Sequence, residues 1–306
     1  MLLTGCKSGS PPDNEDTFRH RPVALILEKE ISGSILSAML DKPSGLAVNR
    51  LNQWYLSDAS RNRIIKFNQE NEPERAYGSY GIGIGQFSCP SDILIDRGLN
   101  VLVLDTDNRR VVQLDFNLNY VGEITPENAE DEIISNRGTL AGLEVSSLGE
   151  VTVADFDNSR LIRLDNFYRF SRYIGDFGYG RGALLNPMGL VYSDNKLFVA
   201  DAGNGRIAVY DDYGNYQFSF GEEYLEYPAA VSVAPDGLVW VADQELDRIF
   251  VFSPGGRLIY EFGSSGNDDN RFNNIEALAI SAQNMLYVAD SGNHRVLIYR
   301  IIYEDV

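Results

Sequence analysis

One nine-residue pattern returns along this chain at nearly even intervals, and it constrains the architecture before any single residue is weighed. VADSGNHRV (288–296) recurs as VADAGNGRI (199–207), VADFDNSRL (153–161) and VLDTDNRRV (103–111), with looser copies LSDASRNRI (56–64) and VADQELDRI (241–249). The shared acid falls at Asp58, Asp105, Asp155, Asp201, Asp243 and Asp290, spaced 47, 50, 46, 42 and 47 residues apart. A repeat of this length is one supersecondary unit that cannot bury its apolar face alone and must stack on its copies. A pattern present six times is architectural rather than catalytic.

Each unit has the same internal order. In the fourth, PMGLVYS (187–193) leads to KLFVAD (196–201), then RIAVYD (206–211), a DYGN turn and YQFSFG (216–221). Short runs rich in Val, Ile, Tyr and Phe, bounded by Gly, Asn and Asp, read as strands and hairpins. The leading runs, such as GLAV, GLEV and GLVY, are almost continuously apolar, as inner strands covered by neighbouring blades must be. A small residue at their head (Gly45, Gly142, Gly189, Ala230 or Ala277) lets blades approach near the axis, and Asp92 takes that place in the second copy. The predicted fold is all-β: a six-bladed propeller of four-stranded antiparallel blades over residues 23–306. The sixth unit has three strands before residue 306, and residues 23–33 supply the fourth. The N-terminal strand thereby completes the last blade and leaves no unpaired edge.

Because strands alternate in direction, the loop between second and third strands shares a face with the linkers between blades. Five residues after each repeat Asp stands an Arg, giving Asp58/Arg63, Asp105/Arg110, Asp155/Arg160, Asp201/Arg206, Asp243/Arg248 and Asp290/Arg295. Asp accepts hydrogen bonds from turn amides, and the five-donor guanidinium pairs with that Asp or with nearby carbonyls, so a structural role is expected. Asn108, Asn158, Asn204 and Asn293 suit a left-handed turn position.

These units resemble the NHL repeat, in their Pro-x-Gly-Leu start, their Val-Ala-Asp-x-x-Asn-x-Arg-Ile centre, and a Gly-x-Gly-x-Phe-x-x-Pro linker present as GIGQFSCP (83–90); the likeness covers about residues 43–306. The resemblance implies a six-bladed β-propeller. Functionally it spans ligand-binding and scaffolding modules, RNA-binding domains, extracellular sensors and a peptidyl-hydroxyglycine lyase, so the residues must choose among them. The lyase-like reading needs a zinc site of several histidines, and the chain has two, His20 and His294. Lys and Arg number 26 against 44 Asp and Glu, a net charge of −18, and no Lys or Arg stands between Ile207 and Asp247. That sign of charge argues against nucleic acid, whose binding rests on basic side chains.

What remains is a candidate binding surface on the linker face, where GEEYLEYP (221–228) meets the acidic stretches 123–138 and 267–271. Glu222, Glu223, Tyr224, Glu226 and Tyr227 are its expected contacts, with a protein, peptide or cationic ligand as partner to a monomer. The competing reading is a solvated acidic rim with tyrosines as filler. The alternative function is a calcium-dependent lactonase- or esterase-like hydrolase in the central channel, with Asp92, Glu144 and Glu276 as weak metal candidates. Glu144 sits in an otherwise apolar strand, and a compensating Arg from a neighbouring blade is expected over a cation. The DTDN and DFDN stretches lack the Gly and Glu of a calcium loop, and GIGIG (81–85) has no helix behind it to make a phosphate site. No cofactor is expected.

The N-terminus, MLLTGCKSGS, resembles a bacterial lipoprotein leader, with Leu3-Thr4-Gly5-Cys6 as lipobox, Cys6 as the acylated residue and a tether running to residue 22. A leader normally carries a longer apolar segment than the five residues before Cys6, so its start is expected upstream. Lys7 after the Cys is similar to an outer-membrane sorting pattern. Cys89 has no evident partner, so no disulfide framework is expected. The resulting expectation is a non-catalytic binding or scaffolding propeller, lipid-anchored in the bacterial cell envelope.

Overall fold

The computed structural model describes residues 20–125, 138–175 and 180–305. Six four-stranded antiparallel sheets stand around a common axis. Their inner strands are Pro43–Val48, Pro90–Ile95, Leu140–Val145, Pro187–Ser193, Pro228–Val233 and Ile275–Ile280. Each packs against the next, and the sixth packs against the first, so the ring is closed. Second strands end on the repeat Asp and third strands begin on the repeat Arg, from Trp54–Asp58 and Arg63–Phe67 in blade one to Met285–Asp290 and Arg295–Asp305 in blade six.

The core is divided into six clusters, each shared by two adjacent blades. Between blades six and one, Trp54 stacks on Phe67 at 3.8 Å and 3° and meets Tyr287 at 5.4 Å. Burial of this kind stabilises only when both blades are present, which is why the unit repeats. Close approach near the axis explains the small residues. A Cβ on Gly142 would sit 2.1 Å from the Met188 carbonyl oxygen, and one on Gly45 would sit 2.8 Å from the Asp92 Cα.

Ring closure uses the chain's own start. His20–Ile31 pairs antiparallel with Arg295–Asp305, from His20 opposite Asp305 to Ile31 opposite Val296. The strand begins three residues earlier than the sequence suggested, because its eleven-residue partner continues to Asp305 and Arg21 reaches Glu304. Pro22 is tolerated at this outer edge, where a register shift between Pro22 and Ala24 absorbs the missing amide. Among the described residues no helix is long and apolar enough to cross a membrane.

Candidate functional site

On the linker face the repeat acids work as two-sided clamps. In blade two, Asp105 Oδ2 accepts from Arg110 Nε at 2.9 Å while its Oδ1 accepts from the linker amide of Ser88 at 2.7 Å. Arg110 Nη2 in turn donates to the linker carbonyl of Gln86 at 2.9 Å. The same frame holds Asp58–Arg63 at 2.8 Å with Ile35 and Ala38, Asp201–Arg206 at 2.8 Å with Ala183, and Asp290–Arg295 at 2.7 Å with Arg271. Asp155–Arg160 lies at 3.0 Å, its guanidinium over the Tyr173 ring at 3.7 Å. Burial pushes the Asp58, Asp105 and Asp290 carboxyls up, against hydrogen bonds that pull them down. In blades one, two, four and six the pairs tie the incoming linker to the turn of its own blade.

The turn itself corrects one expectation. The left-handed residue is the one before each Arg: Asn62, Arg109, Ser159, Gly205, Asp247 or His294, with φ between 50° and 59°. Asn108, Asn158, Asn204 and Asn293 stand one place earlier and donate through Nδ2 to the repeat Asp at 2.8–2.9 Å. Their role is to fill the carboxylate's remaining lone pairs. His294 is solvent-facing, its Nδ1 3.3 Å from Asp41.

Blade five departs from the pattern. Asp243 and Arg248 are cross-strand neighbours, yet Arg248 turns outward to Glu261 at 3.5 Å and stays 42% exposed, against 7% for Arg63 and Arg295. Asp243 is satisfied instead by four amides, those of Glu226, Tyr227, Glu245 and Leu246, at 2.8–3.1 Å. The cause is the linker. Seven residues (221–227) join blade four to blade five, where twelve (78–89, 175–186 and 263–274) precede blades two, four and six. The short linker turns at Gly221, which accepts from the amides of Tyr224 and Leu225, and buries Leu225 while Glu222, Glu223, Tyr224 and Glu226 stay exposed. Tyr224 lies 6.1 Å from Phe252 with its edge in solvent, Glu222 accepts from the Ser219 hydroxyl at 2.6 Å, and Tyr227 reaches the channel wall. Residues 126–137 of the acidic stretch 123–138, and Cys6, lie outside the described residues.

The inner strands enclose a channel cavity of about 530 Å³ to which Asp92, Glu144 and Glu276 all contribute. Asp92 Oδ2 accepts from the Leu143 amide at 2.8 Å and Oδ1 from its neighbour Ile93 at 2.8 Å. Burial pushes this carboxyl up to about 7. Glu144 Oε1 accepts from Val145 at 2.8 Å; burial pushes it up to about 8, and the nearby Asp92 charge adds to the rise. The expected compensating arginine is not there: among the described residues no cation pairs with Glu144. The arginine of that neighbourhood, Arg163, is fully buried against Tyr192 and the Asp212 carbonyl instead. Glu276 is balanced by Lys42 at 3.4 Å, a contact across the ring closure that no local sequence signal announces.

Calcium takes roughly six to eight oxygen ligands. Both Asp92 oxygens and one of Glu144 are committed to amides, and among the described residues no three His, Cys, Asp or Glu side chains form a metal-holding group. The channel residues do not fit a calcium ion.

Residues 272–299 match the NHL repeat family. Protein brain tumor of Drosophila melanogaster is 27% identical over 128 residues, and the human NHL repeat-containing protein 3 is 32% identical over 118 residues. These alignments cover 41% and 36% of this chain, and 12% and 34% of those proteins. A gluconolactonase from Xanthomonas campestris has a similar structure, with a TM-score of 0.68 at 13% identity over 97% of this chain and 99% of that one. At that identity the likeness is one of fold.

Proposed function

We propose that this six-bladed NHL-repeat propeller is a non-catalytic binding module that recognises a protein, peptide or other cation-bearing ligand on its linker face, held at a bacterial cell envelope by lipidation of Cys6. The observation that carries the binding reading is the blade-five linker, where three exposed glutamates and the half-open ring of Tyr224 stand on one short turn. Amphipathic tyrosines and an unmatched field of one sign suit contact with a basic surface, steering it on approach and favouring register. In blades one, two, four and six an Arg clamp instead ties a linker carbonyl to the turn.

Fluorescence anisotropy with a labelled lysine- and arginine-rich peptide tests this. Charge reversal at Glu222, Glu223 and Glu226 together is expected to weaken binding by about tenfold or more, and added salt should weaken it further. Unchanged affinity removes the loop from the site. The anchor is tested separately, by metabolic labelling with a clickable palmitate and membrane fractionation: Cys6→Ser should lose both label and membrane association.

A further inference from the structure

The channel carries a feature that ring closure does not require. Four residues into each inner strand the chain places Ala47, Leu94, Glu144, Val191, Ser232 and Ala279, all on the cavity wall. Two residues earlier the series is Gly45, Asp92, Gly142, Gly189, Ala230 and Ala277. Five blades are therefore built at each level with a small, apolar or hydroxyl residue, and one blade at each level with an acid. The two acids belong to adjacent blades and lie close: the Asp92 carboxyl bonds the amide of Leu143, the residue before Glu144. A cavity of about 530 Å³ with a mainly aliphatic wall is of the size that holds small organic ligands.

The other titratable groups on that wall do not neutralise the pair. Lys42, on the linker into blade one, is committed to Glu276 of blade six. Cys89 and Tyr227, on the linkers into blades two and five, are both pushed up by burial and stay neutral. Burial pushes both carboxyls up because neither charge meets a cation, and a ligand that brings positive charge offsets that cost.

We propose that the channel is a binding site for a small organic cation, an ammonium on an aliphatic or aromatic body, with its charge between Asp92 and Glu144 and its hydrocarbon against Leu94 and Val191. Recognition then couples to proton release. With the free carboxyls near 7 and 8, affinity for the ammonium should rise as pH climbs from 6 to 8 and level off above.

Isothermal titration of the full chain with phenethylammonium and butylammonium, beside neutral 2-phenylethanol and anionic phenylacetate, tests the site. Phenethylammonium should bind about tenfold or more tighter than the alcohol, with protons released in proportion to buffer ionisation enthalpy. Glu144→Gln keeps its size and its amide-accepting oxygen, and Asp92→Asn keeps its size and one of its two acceptors; each should cost the ammonium about tenfold and leave the alcohol unchanged. Ser232→Phe, which fills the channel from blade five and spares both acids, should abolish all binding. The triple charge reversal on the 221–227 loop should change none of these values, which separates the channel from the outer face. The proposal is overturned if neither ammonium binds at millimolar concentration, if charge makes no difference among the probes, or if the folded acid-to-amide variants bind as the wild type does.

Discussion

Blade two and blade five carry the same Asp, the same five-residue interval and the same Arg, yet only one of them forms a clamp. In blade two the guanidinium lies between Asp105 and the carbonyl of Gln86, with Glu123 at 2.7 Å on its outer side. In blade five a linker five residues shorter passes too close to the turn, satisfies Asp243 with its own amides and leaves Arg248 on the surface. The motif therefore specifies a buried acid at the turn. Linker length decides what neutralises it.

The contrast can be broken by removing each Arg. Arg110→Ala leaves Asp105 buried without its ion pair and should destabilise by about 3–5 kcal/mol in urea unfolding. Arg248→Ala, with an exposed partner, should cost less than about 1 kcal/mol. Equal losses would mean that the two blades do not differ energetically. Next in size, Leu225→Ala empties the pocket that anchors the short linker and should cost about 2–3 kcal/mol, whereas Tyr224→Ala on the same turn should stay within about 0.5 kcal/mol.

The channel extends the contrast to a carboxyl with no cation beside it among the described residues. Below pH 4 both folded and unfolded chains keep the Glu144 proton; between 4 and about 8 only the folded chain does, so this residue's contribution to stability falls as pH rises through that window. Glu144→Gln should match the wild type at pH 5 and exceed it by about 2 kcal/mol at pH 8.5, read from urea midpoints, since partial access through the channel tempers the full shift. The smallest effect concerns the turn. Asn108→Ala removes a bond to Asp105 and another to Gly81 and should cost about 1 kcal/mol in urea unfolding.

The propeller was legible because its constraint is one-dimensional: a period near 47 residues, glycines where strands crowd the axis, and a three-stranded last unit that needs the first strand of the chain. The short linker leaves a trace as the 42-residue gap between Asp201 and Asp243, but the gap alone does not say which loop of the unit is shortened. The channel was harder to read. Asp92, Glu144 and Glu276 stand out along their strands, but their environment is made by blades that lie far apart in sequence. Lys42 finds Glu276 only because the ring closes, and Arg163 turns toward Tyr192 in the next blade rather than toward Glu144. The Asn of the turn was misplaced by one residue because Asn is a usual choice for left-handed backbone, whereas here that place takes six different residues and only the backbone angle reveals it.

The closing strand also fixes how the disk is presented. Outer strands run toward the linkers, so His20–Ile31 starts on the opposite side of the ring and delivers Ile31 to the linker side. Anything fastened upstream of His20 pulls on the underside at blade six. The acidic turn at 221–227 lies on the linker side, across the thickness of the disk from that point of entry.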